Sequence, residues 1–241
     1  MNPLRSRRGR LPAVLLALAM TAGGILAMSP AAPAQEGVPE LRPAARVKCV
    51  NVNTGFARYS SNGRCRSNER VQARSCARGG ACVVGDVGPG RGRVFYSART
   101  AQPWGRYLEA APSSWYAPTG DPNLAWCQDV TTRLPGTDGA GLGDGKANTA
   151  AMLAVCTSGA AAAVQGYRGG GKADWYLPSK TELRQLFLHQ KKVGAFIFHG
   201  YWSSTQASEN MAWIQDFYSD YVPAPSDKAF ANYVRPVRAF G

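Results

Sequence analysis

Residues 174–183 read DWYLPSKTEL, and this stretch joins a short aromatic strand to the start of a helix. Ser179 and Glu182 have the spacing of a capping box, in which each side chain bonds to the backbone of the other residue. Leu183, Leu186 and Phe187 follow at the spacing of one apolar helix face. The stretch therefore predicts a strand that runs directly into a capped, amphipathic helix.

The end of this helix and the position of another one can also be predicted. Lys191 and Lys192 suit the negative end of a helix dipole, and Gly194 can stop the helix. An earlier helix is expected to start near Asn148 and to continue through the alanine-rich stretch Ala160–Gln165. The sequence thus predicts two helices.

Short aromatic or β-branched segments alternate with Gly, Pro and Asp turns around these helices. Short antiparallel strands with segregated helices belong to the α+β class. The candidate strands are Arg93–Ser97, Tyr107–Ala110, Asp174–Leu177, Tyr201–Thr205, Ala212–Phe217 and Asn232–Phe240.

The first 34 residues carry the features of an export signal. Four arginines precede an apolar run from Leu11 to Met28, and a small-x-small site ends at Ala34. This pattern predicts a signal peptide, residues 1–34, that is cleaved after Ala34. An uncleaved membrane anchor is the alternative, and Pro12 weakens it. We expect a secreted, extracellular protein that meets the membrane only through this segment.

The cysteine content agrees with export. The chain has six cysteines, all beyond residue 34, and an even number in an exported protein suggests disulfides. Zinc is disfavoured because the cysteines lack C-x-x-C spacing and the two histidines lie far from them in sequence. The count alone leaves the connectivity open. The pairs that we expect are Cys49–Cys65, Cys76–Cys82 and Cys127–Cys156.

Charge is distributed unevenly along the chain. Residues 35–106 carry 13 Lys and Arg against 4 Asp and Glu, a surplus of +9, whereas residues 107–241 carry 11 of each. A basic region favours polyanionic partners, although a merely solvated surface is the alternative. Composition divides the chain into a signal peptide (1–34), a linker (35–48), a small basic disulfide-containing module (49–83) and a larger domain (84–241).

Five motifs occur in a fixed order along the larger domain. They are Gly88–Gly92 with Val94–Tyr96, Gly143–Thr149, Asp174–Leu183, Tyr201–Ser204 and Val234–Phe240. Their order resembles a bacterial exported family of unassigned general function that includes the C-terminal domain of Legionella collagen-like adhesins. The resemblance implies a C-type-lectin-like fold with a loop-rich face. Arg91 departs from the family pattern, which has glycine there, and so does the proline-interrupted stretch Val222–Ser226.

Aromatic residues are the main signal for a binding site. Rings that lie in loops beside small polar residues suit sugar faces or protein partners, and partly buried loop anchors are the alternative. Trp175, Trp202 and Trp213 are predicted in strands and in the core. The predicted ligand-binding residues are Trp115, Tyr116, Tyr218, Tyr221, Arg91 and Arg93.

Calcium is the one cofactor that the sequence leaves open. Glu209, Asn210 and Asp216 offer oxygen ligands in the late region where such folds bind calcium, but the usual sugar-site triplets are missing. The alternative is that the protein has no cofactor.

The sequence assigns no catalytic residue. His189 and His199 are possible bases, although a surface position is the commoner role for such residues. Gly166–Lys172 imitates a phosphate-binding loop, but Ala173 stands where Ser or Thr is required, so the segment is interpreted as a turn.

We therefore expect an exported, non-enzymatic binding module for glycans or other polyanions at the cell surface. A protein partner is a further possibility, and specific binding of nucleic acid is not expected. The alternatives are an enzyme that acts on cell-wall sugar and a structural component of a surface assembly.

Overall fold

The computed structural model describes residues 47–51, 53–54, 56–62, 64–71, 76, 80–218 and 222–241. These residues belong to one compact unit, Ala44–Gly241. The predicted signal peptide and residues 35–46 of the predicted linker lie outside the described residues. The last two linker residues, Val47 and Lys48, are instead the start of the first strand.

The front of the chain forms a small antiparallel sheet. Its strands are β1 (Val47–Asn51), β2 (Ala57–Ser60) and β3 (Glu69–Val71), in the order β2-β1-β3. Arg58 and Glu69 form a bidentate ion pair, with N–O distances of 2.8 and 2.7 Å. The pair joins the two outer strands across β1.

The chain then forms a second three-stranded antiparallel sheet from β4 (Arg93–Gln102), β5 (Gly105–Ala110) and β11 (Val237–Phe240), in the order β11-β5-β4. The last strand of the protein, β11, pairs with β5, so both ends of the larger domain meet in one sheet. Val237 also bridges to Tyr176, which ties the predicted strand Asp174–Leu177 to this sheet through a single isolated bridge.

A five-stranded sheet completes the domain, and its strands are β6 (Asn123–Leu124), β7 (Gly200–Gln206), β8 (Met211–Asp216), β9 (Ala224–Asp227) and β10 (Asn232–Tyr233). They lie in the order β6-β10-β7-β8-β9, and all neighbouring pairs are antiparallel except β10 and β7, which are parallel. The predicted strand Asn232–Phe240 is divided into β10 and β11, which join different sheets, since Pro236 interrupts it.

The described residues contain four α-helices, so the prediction of two was wrong. The first begins at Asp144 rather than near Asn148. Asn148 does not cap it, because its side chain is buried within the helix and its side-chain amide donates to the carbonyl of Gly139. The alanine-rich continuation is a separate helix, and the helix after Ser179 is interrupted at His189. The helices are α1 (Asp144–Leu153), α2 (Ala160–Gln165), α3 (Lys180–Leu188) and α4 (Gln190–Val193).

The predicted capping box of α3 is confirmed. The Ser179 hydroxyl accepts from the Glu182 amide, and the Glu182 carboxylate accepts from the Ser179 amide at 2.8 Å. Glu182 is fully buried and also accepts from the Gly143 amide and the Tyr176 hydroxyl. The cap therefore also joins α3 to the start of α1. Burial raises the pKa of Glu182, and the two amide donors oppose this rise only in part.

Two hydrophobic clusters fill the larger domain. One contains Trp126, Trp175 and Trp202, and the other is centred on Phe95, Tyr201 and residues of α3. The core positions predicted for Trp175 and Trp202 are therefore confirmed. Trp213 is only half-buried, and the Lys180 ammonium lies 3.2 Å from the centre of its ring.

All three predicted disulfides are confirmed: Cys49–Cys65, Cys76–Cys82 and Cys127–Cys156. Cys76 and Cys82 pack against Val94 and Tyr107, so the second bridge contributes to the packing of the β11-β5-β4 sheet. Within the described part of the chain, none of the helices has the length and apolar character that a membrane span needs.

A buried ion pair holds the centre of the larger domain together. Asp121 accepts from Nε and Nη2 of Arg235, from the Trp115 indole at 2.8 Å and from the Tyr201 hydroxyl at 2.7 Å. The Arg235 guanidinium also donates to the carbonyls of Ala111 and Ala195. Four donors meet one carboxylate, and this satisfies the charge that folding has removed from water.

Candidate functional site

Two glycine-rich turns meet on the surface over Trp175. The first is Gly88–Gly92 and the second is Gly169–Lys172; together we call them the glycine-turn face. A side chain at Gly170 would begin 2.5 Å from the backbone carbon of Gly90, so the two turns touch through their main chains. The Trp175 indole donates to the carbonyl of Gly169 at 3.2 Å and supports the contact from below.

A buried carboxylate fixes the first turn. Glu109 of β5 accepts from the amides of Gly90 at 2.9 Å and Gly92 at 3.1 Å, and from Arg238 at 2.7 Å. Burial raises the pKa of Glu109, while Arg238 and the amides oppose that rise. The Arg238 guanidinium also donates to Asp174, the first residue of the strand-to-helix stretch. The turn is thus anchored to two parts of the core.

Arg91 lies at the tip of this turn, exposed to solvent, with φ of 62°. That left-handed conformation is costly for a residue with a side chain and natural for glycine. Arg91 forms no ion pair with any residue that the structure describes. Its guanidinium is therefore available to a ligand.

Arg93, the other predicted basic site residue, has a structural partner. It is half-buried on β4, and its guanidinium donates to the carbonyl of Gly85 at 3.0 Å. On the second turn, Lys172 is half-buried and makes no ion pair within the described residues. The structure therefore brings Arg91 and Lys172 onto touching turns. The predicted turn at Gly169–Gly171 is confirmed: the segment is a short 3-10 stretch with a kink at Gly170, where φ is 63°.

A pocket of about 600 Å³ opens at the start of α1. We call it the α1 pocket. Trp104, from the turn between β4 and β5, forms one wall and packs directly on Gly143, where any side chain would start 2.1 Å from the indole. Lys146, Asp144 and Asp174 supply the charged groups of the lining. The apolar lining comes from Pro103, Trp104, Leu142, Ala147, Ala150 and Ala239, with Tyr176 beside them.

The predicted aromatic site residues that the structure describes differ in their exposure to solvent. Trp115 is only 8% exposed and belongs to the core, so the prediction that it faces a ligand was wrong; its indole is needed by Asp121. Tyr116 is 44% exposed, with its ring centre 5.3 Å from that of Trp115. Tyr218 is 76% exposed and contacts Phe198, with ring centres 6.2 Å apart. Tyr221 lies outside the described residues.

The three residues predicted for calcium are not brought together. Glu209 and Asn210 lie in the turn before β8, while Asp216 is its last residue, so a strand about 17 Å long separates them. The carbonyl of Glu209 already accepts from the Lys228 ammonium at 2.6 Å, and this charge disfavours a second cation nearby. Calcium binding stays a prediction.

Within the described residues, the one cluster of three metal-type side chains is Cys49, Cys65 and Glu69. Its two sulfurs are joined to each other, and a metal needs the thiolate form.

The candidate catalytic groups are engaged elsewhere. His189 lies at the end of α3, with Nδ1 2.9 Å from the carbonyl of Gln185, and His199 stacks on Tyr233. Ser203 and Ser204 are buried and donate to the carbonyls of Trp213 and Pro178. All six cysteines are paired. Among the described residues, these contacts do not pair His189 or His199 with Ser203 or Ser204, the candidate nucleophiles of β7.

A family model described as the Lcl C-terminal domain matches residues 106–238, more than half of the chain. The chain belongs to this family. Membership suggests a surface adhesin-like module, and together with the three disulfides it is consistent with an extracellular protein. Among curated proteins, none matches the chain.

The α1 pocket was missed by sequence reasoning. Its position depends on the approach of the β4–β5 turn to α1, two segments about 40 residues apart in the chain. The signal that could have indicated it is Gly143, the first residue of the Gly143–Thr149 motif. Glycine is required there for two reasons: its φ is 92°, and the Trp104 indole lies where a side chain would begin.

Proposed function

We propose that this protein is an exported, non-enzymatic binding module that captures anionic glycans or other anionic polymers at a cell surface. Its membership of the Lcl C-terminal domain family supports a surface role. The α+β arrangement of short antiparallel strands supports a C-type-lectin-like fold, in which a loop-rich face meets the ligand.

The conformation of Arg91 is the observation that carries this proposal. A non-glycine residue with positive φ costs about 1–2 kcal/mol, and such strain persists at functional positions when the surroundings enforce it. Here Glu109 enforces it through the amides on both sides of Arg91. The turn therefore presents a free guanidinium from a fixed backbone position, and a guanidinium suits bidentate binding of sulfate, phosphate or carboxylate groups.

The second turn extends the site along a polymer. Lys172 lies two residues beyond the contact between Gly170 and Gly90, so a repeating anion can meet Arg91 and Lys172 in succession. The +9 surplus of residues 35–106 adds long-range attraction over about 8 Å at physiological ionic strength. Affinity should consequently fall steeply as salt is added.

Replacing Arg91 with glycine tests this proposal without harming the fold. Glycine relieves the positive φ, and after its own entropy cost of about 0.5–1 kcal/mol the free energy of unfolding should stay equal or rise slightly. Binding of a sulfated glycosaminoglycan and of polyphosphate, measured by calorimetry at low and at moderate salt, should weaken about tenfold. The salt dependence should become shallower.

Lys191→Gln is the matched control, since it removes one exposed charge from α4, an element outside the glycine-turn face. Equal losses in both variants would show that only net charge matters. Unchanged binding in Arg91→Gly would refute the site.

A protein partner is a second candidate function, favoured by one observation. Phe198 and Tyr218 form an exposed aromatic pair, 65% and 76% accessible. Paired exposed rings are typical of contact surfaces between proteins.

A further inference from the structure

We propose that the α1 pocket is a second binding site, distinct from the glycine-turn face, and that it binds one uncharged saccharide unit. It does not depend on the anion-binding proposal. The pocket has about 600 Å³, within the usual range for sites that enclose a small organic ligand.

The apolar part of the pocket suits the C–H face of a pyranose ring. Trp104 is half-buried, and its position is fixed because it packs on Gly143 and lies 6.2 Å from the Tyr96 ring. The lining also includes Ala147 and Ala150, which are small and leave space above α1. A rigid indole in the same pocket as small side chains suits a flat, partly apolar ligand.

The polar part of the pocket suits hydroxyl groups. One oxygen of Asp174 accepts from Arg238, which fixes the carboxylate and leaves acceptor capacity on the other oxygen. Asp144 likewise accepts from the Gly141 amide through Oδ2 at 2.8 Å. Lys146 is exposed and forms no ion pair within the described residues, so its ammonium is a free donor.

The charged groups of the pocket oppose a ligand of either sign. Asp144 and Asp174 repel an anion, Lys146 repels a cation, and the charge of Arg238 is shared between Asp174 and the buried Glu109. Sugar hydroxyls both donate and accept, so they can use the carboxylates and the ammonium together. A charged ligand would gain one of these contacts and oppose the other.

The test uses the full chain and a panel of neutral monosaccharides: glucose, galactose, mannose and N-acetylglucosamine. Saturation-transfer NMR reports binding, and tryptophan fluorescence reports contact with an indole. We expect at least one sugar to bind with millimolar affinity, to change the fluorescence and to lose little affinity when salt is raised. Millimolar binding is normal for a single shallow sugar site.

Two variants locate the site. Ala147→Trp should abolish sugar binding, because the new ring fills the pocket from an exposed helix position. Lys146→Gln should weaken binding about tenfold, the effect of losing one charge-assisted hydrogen bond. Ala154→Trp is the control, since that exposed residue lies at the far end of α1, outside the pocket lining, and binding should be retained.

Three results would overturn the proposal. They are failure of every neutral sugar to bind to the folded protein, equal binding by Ala147→Trp, and a salt-sensitive preference for glucosamine or glucuronate over the neutral sugars. Polyphosphate binding should be unchanged in Ala147→Trp, so failure of this proposal can be told apart from failure of the anion-binding site.

Discussion

The buried pair of Asp121 and Arg235 offers the sharpest test of how the fold is held. Asp121→Asn keeps the size of the side chain but removes its charge and turns one acceptor into a donor. The four donors that meet Asp121 then find a single carbonyl oxygen, and the Arg235 guanidinium, which is 0% exposed, loses its counter-charge. Breaking such a pair costs about 3–5 kcal/mol, a large part of a typical domain's stability.

Urea unfolding followed by tryptophan fluorescence measures this loss, provided that the slope of the transition does not change. Asp138→Asn is the matched control. It breaks the Arg133–Asp138 pair, whose side chains are 56% and 53% exposed, and it should cost about 0–1 kcal/mol. Adding Arg235→Met to Asp121→Asn should recover part of the loss by removing the unpaired charge. Similar losses in the buried and exposed pairs would refute the reasoning.

Further predictions concern the core and the pH dependence of stability. Trp202→Ala should cost about 3–5 kcal/mol, because the ring is fully buried, and a thermal melt checks this. Burial raises the pKa of Glu182 in the folded state. The resulting contribution to the free energy of unfolding is therefore complete below about pH 4.5 and is lost as pH rises through the folded-state pKa. Glu182→Gln should remove this dependence in urea titrations at several pH values; an unchanged profile would contradict the assignment.

The sequence predicted those parts of the fold that depend on local chemistry. The capping box at Ser179 and Glu182 and the glycine turn at 169–171 are contained within a few residues, and both are confirmed. Asn148 misled the prediction because asparagine is a common helix cap, whereas here its side-chain amide donates from inside α1 to the carbonyl of Gly139 in the preceding loop. Local propensity was overridden by a tertiary contact.

The candidate site was harder to predict because it depends on burial. Trp115 lies in a loop with small polar neighbours, which suggested an exposed ring. It is buried because its indole donates to Asp121, whose partner Arg235 lies far along the chain. Arg91 could be selected from sequence, because the family resemblance predicted glycine at this position. Its freedom from ion pairs and the Glu109 clamp beneath it required coordinates.

One buried side chain connects the two proposed surfaces. Arg238 donates to Glu109, which holds the Arg91 turn, and to Asp174, which lines the α1 pocket. Arg235 likewise forms a buried ion pair with Asp121. The two arginines of the closing Val234–Phe240 motif therefore position loops and add nothing to the attraction of anions. The proposed anion-binding site thus depends on basic groups outside this motif that form no ion pair within the described residues, Arg91 and Lys172.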